Sequence, residues 1–251
     1  MMRRQVQLFL CALQFLTRIP VPRLAGFEDS WITRSAKFFP LVGQLVGALS
    51  AGALLLAGEV WQGFVPLLLA ITAGILITGA FHEDGLADTA DGLGGGRDAA
   101  HRLAIMKDSR IGAFGALALL LLLALKMAAL APFNIEMAAL LLLASHGTAR
   151  AAAVVVMCAL PYAGDPAASK IKPVPDGVTG AEVFIAVVLA LWPLFLLPLS
   201  LALAGMIGGI VLAMIIALTA RRLVGGYTGD ILGAVEQMFE LGFLLGAAAI
   251  L

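Results

Sequence analysis

Residues 111–131 read IGAFGALALLLLLALKMAALA and carry one charge, Lys126. A helix rises 1.5 Å per residue and the hydrocarbon core of a bilayer is roughly 30 Å thick, so about 20 apolar residues in a row span it. Working outward from this run, six more stretches meet the same test. The full set is about 40–57, 64–81, 111–131, 137–160, 183–199, 204–220 and 233–251. Pro193 and Pro198 interrupt the fifth, and Gly205, Gly208 and Gly209 open the sixth. Those two read either as separate spans or as a kinked or re-entrant pair.

Composition points the same way. The 251 residues are 61% apolar and 13% charged, with a mean hydropathy of +1.02, against roughly 25% charged residues in a soluble domain. So few charges do not cover a soluble globule. A soluble enzyme, a disordered tail and a disulfide-stapled secreted module are excluded. Sixteen basic and sixteen acidic residues cancel, which leaves no electrostatic footprint for nucleic acid. Cys11 and Cys158 sit in apolar runs and read as buried small hydrophobes. Arg3 and Arg4 precede an apolar stretch, but Gln5, Gln7, Gln14 and Arg18 interrupt it. Residues 5–17 therefore read as an amphipathic helix rather than a cleavable signal peptide. The expected architecture is all-α: a polytopic membrane bundle of about seven spans with an N-terminal amphipathic helix, forming one catalytic domain over 1–251.

Sidedness follows from Lys and Arg. With the N-terminus in the cytoplasm, Arg3, Arg4, Arg18, Arg23, Arg34, Lys37, Arg97, Arg102, Lys107, Arg110, Lys170, Lys172, Arg221 and Arg222 all fall inside. The opposite loops, 58–63, 132–136 and 200–203, hold neither residue type. This is the positive-inside pattern. Lys126, within the third span, reads as snorkelling outward. Every long polar segment (1–39, 82–110, 161–182 and 221–232) falls on that same face, as chemistry on one face requires. A transporter should show polar residues on both faces and inverted repeats; the sequence shows neither.

The densest polar stretch is His82-Glu83-Asp84-Gly85-Leu86-Ala87-Asp88-Thr89-Ala90-Asp91-Gly92. On a helix, Asp84, Asp88 and Asp91 lie at i, i+4 and i+7, on one face. Three carboxylates on one stripe repel one another unless a cation neutralises them. Oxygen-only donors suit Mg²⁺ or Mn²⁺. The competing reading, a solvated acidic helix end, explains the charges but not their spacing or the flanking glycines. Lys107 and Arg110 follow beside Asp108, across the glycines 94–96, where basic groups would hold phosphate oxygens. His146 and Arg150 lie at i and i+4 inside an apolar run. They read either as functional groups facing a cavity or as a structural pair. Asp230, in Gly-Gly-Tyr-Thr-Gly-Asp, reads as an N-cap or as a ligand. Glu236 lies deeper, needs a partner, and is followed by Glu240 at i+4.

The Glu83–Gly92 run, the block from Met106 to Gly115, the Ser145–Arg150 block and the Gly225–Glu236 block resemble the cobalamin synthase (adenosylcobinamide-GDP ribazoletransferase) family. So do residues 15–22 and Phe39-Pro40-Leu41-Val42-Gly43. The likeness covers essentially the whole chain, in order. It implies a Mg²⁺-dependent enzyme of a bacterial inner membrane with its active site facing the cytoplasm. That enzyme joins α-ribazole or its 5′-phosphate to adenosylcobinamide-GDP and releases GMP. A looser likeness to CDP-alcohol phosphotransferases is one of logic only, because Asp84, Asp88 and Asp91 do not match that family's spacing. With the resemblance, Glu83, Asp84, Asp88 and Asp91 are expected to hold one or two Mg²⁺, and Lys107 and Arg110 to hold phosphate. Asp108 or Asp230 is expected to take the proton of the attacking hydroxyl, with His146 and Arg150 also at the site. Lys170 and Lys172 are expected to guide the anionic substrate. The partners are the two substrates and the lipid bilayer, and homo-oligomerisation stays open.

Overall fold

The computed structural model describes residues 2–24, 26–28, 30–164 and 177–251. Its helices are α1 (Met2–Leu16), α2 (Ser30–Ser35), α3 (Phe39–Gly58), α4 (Val65–Thr78), α5 (Phe81–Gly95), α6 (Ala99–Met106), α7 (Ala113–Leu130), α8 (Ile135–Ala159), α9 (Gly180–Leu191), α10 (Leu199–Val224) and α11 (Gly229–Ala248). Short 3₁₀ turns lie at Ala36–Phe38 and Trp192–Leu196. The all-α bundle expected from the sequence is what forms. As expected, α1 is two-faced: Leu8, Cys11, Ala12, Leu13 and Leu16 are buried while Arg3, Arg4 and Gln14 are exposed. Cys158, by contrast, is exposed rather than buried.

The chain is a multi-pass membrane protein. Among the described residues, five helical stretches are long and apolar enough to cross a bilayer: Ser30–Gly58, α7, α8, α10 and α11. Two of the seven expected spans differ. The second stops at Thr78, where the chain turns by 89° into α5. Gly79 and Ala80 are both left-handed, with φ of 68° and 59°, and end α4 against the carbonyls of Ile75 and Leu76. The apolar run gives out there and the acids begin, so α5 folds across the end of the bundle. Counting the bent pair as one broken span raises the total to six. The fifth expected span is also short. α9 runs for 12 residues from its Thr179–Glu182 capping box before Pro193 and Pro198 bring in a 3₁₀ turn.

α8 and α11 are the inner helices, with 78% and 72% of their spanning windows buried, while α7 and α10 are outer at 28% each. Glycine lets backbones meet closely at two seams, the usual device where no hydrophobic force drives helices together in lipid. Gly43 and Gly47 of α3 lie against the α8 backbone at His146 and Leu142. Gly208 of α10 meets Gly242 of α11, while Gly205 and Gly209 receive the rings of Phe243 and Phe239. The C-terminal ends of α4, α8 and α10 and the N-terminal ends of α7 and α11 share one end of the bundle with α5 and α6. There the turn before α11 is tied to the segment after α8. Tyr227 N–H donates to Pro161 O (2.9 Å) and Ala163 N–H to Tyr227 O (2.8 Å).

Gly242→Leu forces a side chain into the α10 backbone, and overpacking of this kind costs about 1–3 kcal/mol or more. Thermal unfolding of the detergent-purified variant will show a lower melting temperature, whereas Gly52→Leu, at a position open on α3, will melt as wild type.

Candidate active site

The helix predicted for the acidic stretch is present, and Asp84, Asp88 and Asp91 lie along α5. α5 crosses the start of α11 at a close approach of the two backbones. A Cβ placed on Gly85 would sit 2.8 Å from the Asp230 carbonyl oxygen, and one on Gly233 would sit 3.1 Å from that of His82. This crossing brings Asp230 against α5 between Asp84 and Asp88. Asp230 is not the N-cap. That role belongs to Thr228, whose Oγ1 accepts from Ile231 N–H (3.2 Å), and Asp230 occupies the first helical turn. Asp88, half-buried, has its carboxyl pushed up to about 7. Burial is the first cause, followed by the negative charges of Asp84, Asp230 and Asp91.

Asp91 has a second occupation. Its Oδ2 accepts from Gly112 N–H (2.7 Å) and its Oδ1 from Gly115 N–H (2.9 Å), at the N-terminus of α7. A Cβ on either glycine would collide with that carboxylate. An anion at the positive end of a helix satisfies donors that the helix itself leaves open. Asp91 therefore fastens α5 to α7, which its helical spacing alone did not reveal.

Glu83 turns the other way, and the structure does not bring it to the aspartates. Its Oε1 accepts from Gln237 (3.1 Å), and its Oε2 is buried without a partner. It joins a charge network among the inner helices. Arg150 pairs with Glu236 (2.5 Å) and with Glu240, and His146 Nδ1 lies 2.9 Å from Glu240. His82 Nε2 lies 2.6 Å from Glu236. His146 and Arg150 thus have Glu236 and Glu240 as partners, not the aspartates of α5, and both also line a cavity among the inner helices. Lys126 does not snorkel outward. It is buried, and its Nζ donates to Gln237 (2.7 Å) and Glu240 (2.6 Å). His82, Lys126 and Gln237 escaped the sequence reading. The available signal was Glu236 and Glu240 at i+4, an acidic stripe that demands cations on neighbouring helices.

The basic residues sit between α6 and α7. Arg110 forks onto Asp108, with Nε 3.0 Å from Oδ1 and Nη2 2.6 Å from Oδ2. Those hydrogen bonds hold the Asp108 carboxyl down at about 2. A carboxylate so held is a poor proton acceptor. Lys107 is exposed and lines a shallow groove with Leu103, Ala163 and Gly164. Lys170 and Lys172 lie outside the described residues.

Among the described residues no three His, Cys, Asp or Glu side chains gather around one point as a metal-binding group. The donors nonetheless fit a hard dication: they are all oxygen, and Asp88 is set against three other carboxylates. Mg²⁺ is commonly bound through only one or two carboxylates, with water and substrate phosphates completing its octahedron.

Two outcomes follow. An acid whose folded pKa lies above its unfolded value holds more protons when folded, so stability falls as pH rises from the ordinary carboxylate range towards about 7. In chelator, the melting temperature will decline across that window and Asp88→Asn will flatten the decline. Asp91→Ala leaves two N–H groups without an acceptor and will cost ~1–3 kcal/mol. Denaturant titration will read that loss, and hydrogen exchange will quicken at Gly112 and Gly115.

The cobalamin-5-phosphate synthase family model matches residues 8–248. The adenosylcobinamide-GDP ribazoletransferase of Leptothrix cholodnii is 43% identical, covering 96% of this chain and 95% of the relative. That of Shewanella woodyi is 40% identical over 97% and 96%, and that of Shewanella amazonensis 40% over 95% and 94%. No solved structure matches the chain. A match running from α1 to the end of α11, with full-length relatives at this identity, places the chain in the cobalamin-5-phosphate synthase family.

Proposed function

We propose that this chain joins α-ribazole, or its 5′-phosphate, to adenosylcobinamide-GDP, releasing GMP, at the end of the bundle covered by α5. The observation that carries the reading is the crossing of α5 on α11 at Gly85, which sets Asp230 beside the Asp84–Asp88 turn, with Asp88 pushed up by burial and by the charges of Asp84, Asp230 and Asp91. Full-length relatives bearing that enzyme name support it.

Asp84 and Asp88 would hold Mg²⁺ together with the pyrophosphate of the GDP-activated corrinoid. Bound there, Mg²⁺ supplies neutralisation of the negative charge that grows on the departing GMP. Asp230, on the facing helix, accepts the proton of the ribose hydroxyl as its oxygen attacks the phosphorus on the corrinoid side. The new oxygen–phosphorus bond forms as the bond to GMP breaks. Arg110, pre-oriented by its fork on Asp108, and Lys107 bind phosphate oxygens. Both the corrinoid and the ribazole have broad apolar faces, which the helix walls at this end accept. The Lys and Arg distribution supports a cytoplasmic position for this face.

The test is GMP release by purified protein in nanodiscs with both substrates. Release will require Mg²⁺, and Asp84→Asn and Asp88→Asn will each lower the rate by ~10²-fold or more, the scale of one lost electrostatic contact to developing charge. Wild-type rates in both would remove the metal assignment. Arg110→Lys keeps the charge but loses the fork, and will cost ~1–3 kcal/mol of barrier. For sidedness, a thiol at Gly95→Cys will resist an impermeant reagent added outside intact cells; labelling there would reverse the orientation.

A further inference from the structure

Five ionisable side chains, Glu83, Lys126, Arg150, Glu236 and Glu240, meet among the helices, and the last four are almost wholly buried. Replacing such a cluster with packed hydrophobes is often neutral or stabilising, so its retention needs a reason beyond stability. Its wiring supplies one. Two lines of contact run through α11 and end on α5. In the first, Arg150 of α8, braced by its own helix at His146 O (3.1 Å), pairs with Glu236, whose other carboxylate oxygen lies 2.6 Å from His82 Nε2. In the second, Lys126 of α7 holds the Gln237 oxygen at 2.7 Å, and the Gln237 amide holds Glu83 at 3.1 Å.

Both lines reach α5 at the residues just before Asp84. At the other end of the helix, Asp91 is fixed to Gly112 and Gly115. Asp84 and Asp88 lie between the two anchorages. Between them Gly85 leaves no side chain to key α5 against α11, only a close backbone approach. A helix turned by one residue rotates about 100° and shifts 1.5 Å, enough to carry both aspartates off the face that meets Asp230. The anchors must therefore set the rotation that the glycine crossing leaves unspecified.

We infer that Glu236 and Gln237 are positioning residues of the active site. Acting through His82 and Glu83, they fix the rotation and depth of α5 so that Asp84 and Asp88 are presented together to a divalent cation. The inference rests on the reading of Asp84 and Asp88 as cation ligands. Outer groups that orient ligands typically account for roughly 10–100-fold in metal affinity.

The test is Mn²⁺ binding to the full chain in nanodiscs without substrates, read by electron paramagnetic resonance, with gel filtration and circular dichroism reporting the fold. Wild type will bind, and Asp84→Asn and Asp88→Asn will lose binding. Glu236→Gln and Gln237→Leu will keep their helical content and weaken Mn²⁺ by about tenfold or more. Glu83→Gln keeps an acceptor for Gln237 and will bind within about twofold of wild type. If Glu236→Gln does not fold, Gln237→Leu carries the test, since it leaves both ion pairs of Arg150 intact. Wild-type Mn²⁺ affinity in Gln237→Leu, with only a lowered melting temperature, overturns the inference and makes the network purely structural. Loss of binding in Glu83→Gln also overturns it, by making Glu83 a ligand. No binding by wild type, or full binding by Asp84→Asn and Asp88→Asn, instead removes the reading of the acid face on which this rests.

Discussion

Arg150 between Glu236 and Glu240 is the contact on which the interior of this protein turns. A guanidinium in the middle of an apolar bundle is tolerable only with carboxylates against it, because the desolvation cost of an isolated charge at membrane depth is several kcal/mol. Two acids at i and i+4 on α11 supply them. They also draw in Lys126 and His146, so that α7, α8 and α11 are joined by charge as well as by packing. The seam of small residues between α3 and α8 brings Gly43 and Gly47 down onto the backbone beside His146, which closes the cluster from outside. Removing Arg150 would leave two buried carboxylates facing each other, a far larger disturbance than loss of a surface pair.

The acid face inherits its shape from this interior. α5 is amphiphilic in an unusual sense. One side carries His82 and Glu83 into the network, and another carries Asp84 and Asp88 towards Asp230. Neither side is apolar enough to hold the helix by hydrophobic burial alone, although Leu86 packs with Leu122, Ala234 and Leu241. Polar contacts therefore do work that a hydrophobic stripe does in an ordinary surface helix. They are directional, and fix a rotation where a hydrophobic stripe would allow slippage.

Much of this was legible in the residues. Hydropathy gives the long spans because hydrocarbon admits little besides helix. The i, i+4, i+7 acids give α5 its face. What hydropathy does not register is a pair of left-handed residues: Gly79 and Ala80 end an apolar run that composition alone continues to residue 81. Nor does spacing tell which acids share a purpose. Asp91 looks like a third member of the stripe until Gly112 and Gly115, more than 20 residues away, prove to spend both its oxygens. Glu83 is next to Asp84 in sequence and on another side of the helix in space. Lys126 reads as a surface-seeking cation because its acceptors, Gln237 and Glu240, are more than 100 residues distant. Each of these side-chain misses turns on a long-range partner, which spacing does not identify.

The 89° bend between α4 and α5 has a mechanical consequence. Bilayers differ in thickness by several Å, and a spanning helix answers a mismatch by tilting. Were α5 the straight continuation of α4, every such tilt would swing the aspartates with it. Because the chain turns at Gly79 and Ala80 while α5 is fastened to α7 and α11, a lean of α4, which packs on α3, is not carried rigidly into the acid face. The bend lets α5 take its setting from α7 and α11 rather than from the tilt of α4.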